Sequence, residues 1–122
     1  MISISEFYTR KQIHGELGGS VQSYLPTVKG HVVCACLTKN LNPDAPNIIL
    51  VGNGPRIQQN AELLCSQKES TPIFIKIKTN KWQYVGKYKV DSFSKSPKEI
   101  AVHSQKSGRK TITQIIRLSR TV

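Results

Sequence analysis

Side chains able to do chemistry are few in this chain, and they are scattered. The carboxylates are Glu6, Glu16, Asp44, Glu62, Glu69, Asp91 and Glu99. None is spaced to meet another on one strand or helix face, so no pair is set to hold Mg²⁺ for a metal-type nuclease. His14, His31 and His103 lie far apart, with neither a His-Glu-x-x-His motif nor paired Cys-His spacing. The three cysteines, Cys34, Cys36 and Cys65, are an odd number, which argues against a disulfide scaffold. Cys34 and Cys36 sit in a strand-like run and are read as pointing to opposite faces, unfit for a shared metal or a local disulfide. They are expected to be ordinary buried thiols in a reducing cytosol. No cofactor and no metal site are expected. A small nucleic-acid-processing enzyme or toxin with His14 or His31 as base stays as an alternative.

Anion binding is better supplied. Gly52-Asn53-Gly54 lies between an expected strand and an expected helix. Its glycines let backbone N–H groups approach an anion, and the helix N-terminus adds a positive dipole. Arg56 in the first turn adds a charged fork. No Lys-Ser/Thr follows, so this is not a nucleotide P-loop. A second flexible turn, Gly18-Gly19, precedes Ser20, Gln22, Ser23 and Tyr24, short polar residues suited to a groove; Gln suits bidentate contacts to base edges.

The charge is uneven. The 122 residues hold 18 Lys+Arg against 7 Asp+Glu, a formal net charge of +11. Residues 1–75 hold six basic and five acidic side chains; residues 76–122 hold twelve basic ones against Asp91 and Glu99. A pI near 9.9 makes a polyanion the first partner to consider. The cations interleave with Ile, Val, Tyr and Trp, so this is a folded basic half rather than a tail. Trp82, Tyr84 and Tyr88 could stack bases, but their period of two beside lysines favours core packing. No apolar run approaches the ~20 residues of a membrane helix. The opening Met1-Ile2-Ser3-Ile4-Ser5-Glu6 has no signal-peptide pattern, so a cytoplasmic protein without membrane contact is expected.

These groups need elements to hold them. Thr9 and Gln12 form a capping box ahead of a helix over 9–17 that ends at Gly18-Gly19. His31–Leu37 and Ile48–Val51 read as buried strands, separated by a turn-rich loop over 40–47. Ile57, Ala61, Leu64 and Cys65 share one face of a helix over 56–69 led by Pro55. Ile73–Lys78 and Trp82–Val90 form a hairpin with one packed and one lysine-lined face. Ile100–His103 and Thr111–Leu118 read as two more strands, joined by a basic loop over 105–110. About six strands and two short helices suggest one domain, α+β and mostly β, with a curved, mostly antiparallel sheet or small barrel.

The order of these pieces resembles SRA-like (SET and RING-associated-like) domains of bacterial modification-dependent restriction proteins. The opening Tyr8-Thr9-Arg10-Lys11-Gln12-Ile13-His14 with Gly18-Gly19-Ser20-Val21-Gln22-Ser23 is similar to that family's Arg-x-x-Ile-His helix and Gly-Gly-x-x-Gln turn. Leu50-Val51-Gly52-Asn53-Gly54 with Asn60-Ala61, and Tyr84-Val85-Gly86-Lys87-Tyr88-Lys89-Val90, look like its later segments. The resemblance covers residues 7–92. It implies a PUA-like β-barrel that reads double-stranded DNA by flipping a methylated or hydroxymethylated cytosine into a pocket, without catalysis of its own. Leu50 stands where family members often place a pocket tyrosine. The implied DNA-contacting residues are Arg10, Lys11, His14, Ser20, Gln22, Ser23, Tyr24, Arg56, Lys87 and Lys89. The implied base pocket is Asp44, Leu50, Val51, Gly52, Asn53 and Gly54, with Asp44 accepting from the cytosine amino group; Asp44 also reads as a turn-former between Pro43 and Pro46. Any strand cutting would need a separate nuclease subunit. An RNA-binding PUA-like module is the alternative partner class.

Overall fold

The computed structural model describes residues 2–121. In chain order the elements are β1 (Phe7–Tyr8), α1 (Arg10–Leu17), β2 (Thr27–Val28), β3 (His31–Val32), β4 (Ala35–Leu37), β5 (Ile48–Val51), α2 (Pro55–Ser66), β6 (Thr71–Lys78), β7 (Lys81–Ser94), α3 (Pro97–Ser107) and β8 (Gln114–Arg120). One sheet runs β4-β6-β7-β8-β5, with β1 added along β7, and curls into a half-barrel; β2 and β3 form a separate hairpin. Every pairing is antiparallel except β4 with β6. The fold is therefore mixed α+β with a mostly antiparallel curled sheet, and among the described residues it carries three helices rather than two. None of them is long and apolar enough to cross a membrane.

The local signals of the first two helices operate as expected. Thr9 Oγ1 accepts from Gln12 N at 3.1 Å, and Gln12 Oε1 accepts from Thr9 N at 2.8 Å, so the capping box satisfies two donors reciprocally. Ile13 is the buried residue of α1. In α2, Pro55 occupies the first turn, and Asn60, Ala61 and Leu64 form the buried face.

The third helix corrects the strand expected at Ile100–His103. Pro97 pre-sets the first turn, Glu99 complements the N-terminal dipole, and Gly108 ends the helix in the left-handed conformation at φ 77°. Ile100 packs beside Leu50, Ile112 and Ile115, while Val102 is 60% exposed. The β-branched pair thus serves one packed position and no alternating face. Arg117 Nη2 on β8 donates to Glu99 Oε1, fastening α3 to the sheet.

Two further expectations change for reasons of register. The run His31–Leu37 is not one strand. It breaks at Val33-Cys34, so β3 pairs with β2 and β4 pairs in parallel with β6. The aromatic strand does not have one packed face either. Ile73 pairs with Gly86 but Phe74 pairs with Tyr84, leaving Val85 as an extra residue, a bulge with Gly86 at φ 118°. A bulge switches the side-chain parity. Trp82 and Tyr84 therefore pack with Ile13 and Phe74 beneath α1, whereas Tyr88 and Val90 pack with Ile73, Ile116 and Ala61 beneath α2. The same switch puts Lys87 and Lys89 on the α1 side of the sheet, the side of Trp82.

Gly86→Ala is expected to destabilise the chain by about 1–3 kcal/mol, because a Cβ there adopts a left-handed φ and meets Arg120 Nε at 3.0 Å. Urea unfolding checks this; an unchanged midpoint would show that the bulge does not depend on glycine.

Candidate functional site

The two ends of the sheet path, β4 and β5, both contribute to one cleft. Cys36 and Thr38 enter from the β4 side, Leu50 and Gly52 from the β5 side, and Leu41 and Asn42 from the segment between them. Residues 20–24 form one wall, and the first turns of α2, with Arg56, Ile57, Asn60 and Leu63, form another. The cleft measures about 810 Å³, within the range of small-molecule and base-sized sites. Three arginines line it, Arg10, Arg56 and Arg109, and no carboxylate does.

Each arginine is placed differently. The Arg10 guanidinium lies 5.0 Å from the centroid of the Trp82 ring. Its Nη2 donates to Ser20 O at 3.1 Å and Ser23 O at 2.7 Å, and its Nε donates to His14 Nε2 at 2.9 Å. A guanidinium can only donate, so His14 Nε2 must be an acceptor. The imidazole proton then sits on Nδ1 and is donated to Gly18 O at 2.8 Å. Arg109 Nη1 donates to Leu41 O at 2.9 Å and Leu50 O at 2.7 Å, while its Nη2 lies over Gly52, where a Cβ would approach it to 3.0 Å. Burial lowers the Arg109 pKa, partly offset by Tyr24. Arg56 is exposed at the start of α2, and its guanidinium has no hydrogen bond or ion pair among the described residues.

Two buried amides line the cleft, Asn42 at 5% and Asn60 at 8% exposed. Asn60 Nδ2 donates to Leu25 O at 3.1 Å and to Ser23 Oγ at 3.5 Å. No buried side-chain oxygen or nitrogen lacks a partner among the described residues. Asn60 Oδ1 takes part in neither bond and is therefore not fully buried, on a residue that lines the cleft. Tyr24 Oη donates to Ile57 O at 2.6 Å, joining the loop wall to α2. Burial pushes the Tyr24 pKa up, so the phenol stays protonated. Asn42 Oδ1 accepts from Leu50 N at 2.9 Å, closing a backbone donor of the edge strand.

The structure gathers part of the sequence-predicted site. Arg10, Ser20, Gln22, Ser23, Tyr24, Arg56, Leu50 and Gly52 all line the cleft. Val51 does not, because strand alternation turns it into the core. Asn53 and Gly54 lie in the turn outside the lining, where Gly54 N is bonded to Gln58 Oε1. Asp44 also lies outside: its carboxylate is 3.0 Å from Lys106 Nζ at the surface, so it is not the acceptor of the cleft. Lys11, Lys87 and Lys89 are exposed away from the lining, and His14 is occupied by Arg10 and Gly18. His31 does not line the cleft. Arg109, Trp82 and Asn42 join the cleft without having been singled out for it. Among the described residues no three His, Cys, Asp or Glu cluster as metal ligands.

Cys34 and Cys36 correct a further expectation. Their Sγ atoms are 3.9 Å apart in one buried cluster with Phe74, Trp82 and Tyr84. Residues two apart on extended chain share a face, so the pair converges.

Residues 7–121 match the family described as a domain of unknown function, DUF6697, and the chain belongs to that family. No curated protein and no solved structure matches it.

His14 carries a pH prediction. Burial, with Arg10 beside it, lowers its pKa below the ordinary 6.5 although Gly18 O pulls the other way. The unfolded chain then takes up the proton first as pH falls. The contribution of His14 to stability is complete above about 6.5 and is lost below it. Unfolding free energies measured from pH 8 to about 5 are expected to fall on the acid side, and His14→Asn is expected to flatten that fall. The same acid-side slope in the variant would assign it elsewhere.

Proposed function

We propose that this chain is a non-catalytic DNA-binding module of the PUA-like, SRA-like kind, which takes one extruded cytosine, methylated or hydroxymethylated, from duplex DNA into the cleft. The observation that carries this reading is the cleft itself: about 810 Å³, three arginines, no carboxylate, and on its wall Asn60, whose Oδ1 makes no hydrogen bond within the protein. Its apolar lining, Leu50, Leu63, Ile57 and the edge of Trp82, suits the faces of a base. Asn60 Oδ1 is an acceptor for an exocyclic amino group, the role assigned in sequence to Asp44. Arg56, at the N-terminus of α2, suits the phosphate beside the extruded base.

Extrusion costs a few kcal/mol of unstacking. Contacts to the phosphate backbone offset that cost without reading sequence. Lys76, Lys87 and Lys89 stand on the same side of the sheet as Trp82, with Lys76 Nζ 5.9 Å from its ring centroid. They supply such contacts on that face of the sheet. The His-based enzyme reading finds less support, since both ring nitrogens of His14 are engaged and His31 lies off the cleft.

The test is a binding panel of unmodified, methylated and hydroxymethylated duplexes against single strands and RNA at ~150 mM salt, where non-specific contacts weaken. A preference for a modified duplex is expected. Equal affinity throughout would remove base reading, and a preference for structured RNA would move the module to that partner.

Variants divide the roles. Lys87→Ala and Lys89→Ala are expected to weaken all duplexes alike, each lowering the salt slope by about 1, and Arg56→Ala to weaken binding with modest loss of selectivity. Asn60→Ala is expected to cost about 1 kcal/mol at a cytosine site, roughly fivefold in affinity, with the fold checked by circular dichroism. Asp44→Asn is expected to leave base preference unchanged. Lost preference in Asp44→Asn with none lost in Asn60→Ala would reverse the assignment.

A further inference from the structure

The thiols of Cys34 and Cys36 are the one reactive pair in the molecule that the proposed binding role does not use. Their Sγ atoms stand 3.9 Å apart. Cys34 is fully buried, and Cys36, 3% exposed, lines the cleft beside Arg10 and Trp82. Of the two, Cys36 is the one that borders the cleft. The third cysteine, Cys65, is elsewhere, with Gln114 Nε2 3.7 Å from its sulfur.

The backbone flanking Cys34 is held, Val33 N donating to Pro26 O at 2.9 Å and Cys36 N to Tyr24 O at 2.8 Å. Cys34 lies in the break between β3 and β4 and is paired to neither neighbour strand. A disulfide needs the sulfurs at about 2.05 Å. Closing the gap requires the two side chains to turn toward each other from 3.9 Å. The electrostatics are asymmetric as well. The contact shared with Cys34 and the Arg10 cation lower the Cys36 pKa against its burial, while the same contact and burial raise that of Cys34. The thiolate, which is the nucleophile, is thus favoured at the sulfur that faces the cleft.

We propose that Cys34 and Cys36 are a redox-active pair that closes to a disulfide when a small hydroperoxide enters the cleft. The Cys36 thiolate attacks one peroxide oxygen. The S–O bond forms, the O–O bond breaks, and hydroxide leaves to take a proton as water. Cys34, giving up its proton, attacks the Cys36 sulfenic sulfur. The S–S bond forms, the S–O bond breaks, and a second water leaves. The two thiols are oxidised by two electrons and hydrogen peroxide is reduced to two waters.

The experiment uses the whole chain and needs no ligand. The folded, reduced protein is treated with one equivalent of hydrogen peroxide, denatured, and alkylated. The expected product carries one alkyl group, on Cys65, and has lost the mass of two hydrogen atoms within the peptide spanning Cys34 and Cys36. Trp82 is the chain's one tryptophan and shares a cluster with both thiols. Its fluorescence is expected to fall on oxidation and to recover with dithiothreitol. In Cys34→Ser, which removes the resolving thiol, a cyclic dione is expected to trap a sulfenic acid on Cys36. Three alkylated cysteines after peroxide treatment, or oxidation confined to Cys65 through dimers between chains, would overturn the proposal. Should Cys34→Ser fail to fold, the wild-type thiol count decides by itself. Neither readout involves nucleic acid, so this inference and the binding role stand or fall separately.

Discussion

The site depends on how Arg10 is held. A partly buried guanidinium has lost water and must recover the loss from partners. Here it recovers it from the Trp82 face, two loop carbonyls and an imidazole. Stacking on an aromatic contributes on the order of 0.5–2 kcal/mol. Hydrogen bonds from a charged donor contribute roughly 1.5–3 kcal/mol each. The bonds to Ser20 and Ser23 therefore dominate, and their effect is to convert a glycine-led loop into a wall. The wall is held from its other end by α2: Tyr24 Oη bonds Ile57 O, and Asn60 Nδ2 bonds Leu25 O. Without the arginine, Ser20 O and Ser23 O would lose their donor, and the middle of the wall would be held only through its ends at Gly18 and Tyr24.

The second constraint is the unclosed sheet. A half-barrel ends in two edge strands, and edge strands expose unpaired backbone groups. At β5 those groups are met by side chains. Asn42 accepts from Leu50 N, Arg109 donates to Leu50 O, and Thr113 Oγ1 donates to Gly52 O at 2.8 Å. Polar residues recruited to quiet an edge end up lining the opening that the edge creates. That is why the cleft carries arginine and asparagine above an apolar floor, and why it lies where the sheet fails to close.

Local chemistry was legible in the chain and long-range geometry was not. Thr9 with Gln12 fixes the start of α1, and Gly54-Pro55 fixes the start of α2, because caps act within four residues. Parity along β7 was lost at Val85-Gly86, since a bulge is invisible to a period-two reading unless the glycine's backbone angle is known. Helix α3 was missed because Ile100 and Val102 suggest a strand, although Pro97, Glu99 and Gly108 already spelled out a helix. Asp44 was an attractive acceptor only while Lys106, sixty-two residues away, was out of view. Asn60 carried a signal that went unused. It lies on the apolar face of α2 with Ala61 and Leu64, and a polar residue on a buried face must find partners. Arg109 offered no such signal, because its acceptors are set by tertiary contact alone.

Affinity and selectivity are separable in this architecture, and the separation follows from where the charge sits. The lysines of β6 and β7 are exposed, so their attraction for a polyanion is screened by salt and blind to sequence. The cleft arginines are different. Arg10 and Arg109 already spend donors on the protein's own carbonyls, and only Arg56 is wholly uncommitted. A ligand entering the cleft therefore meets a shape and one open acceptor more than it meets net charge. A polyanion held by the lysines would gain little from the cleft unless it delivered a group fitting that acceptor. Under the binding role proposed above, the lysines would hold a duplex weakly and the cleft would set where the search stops.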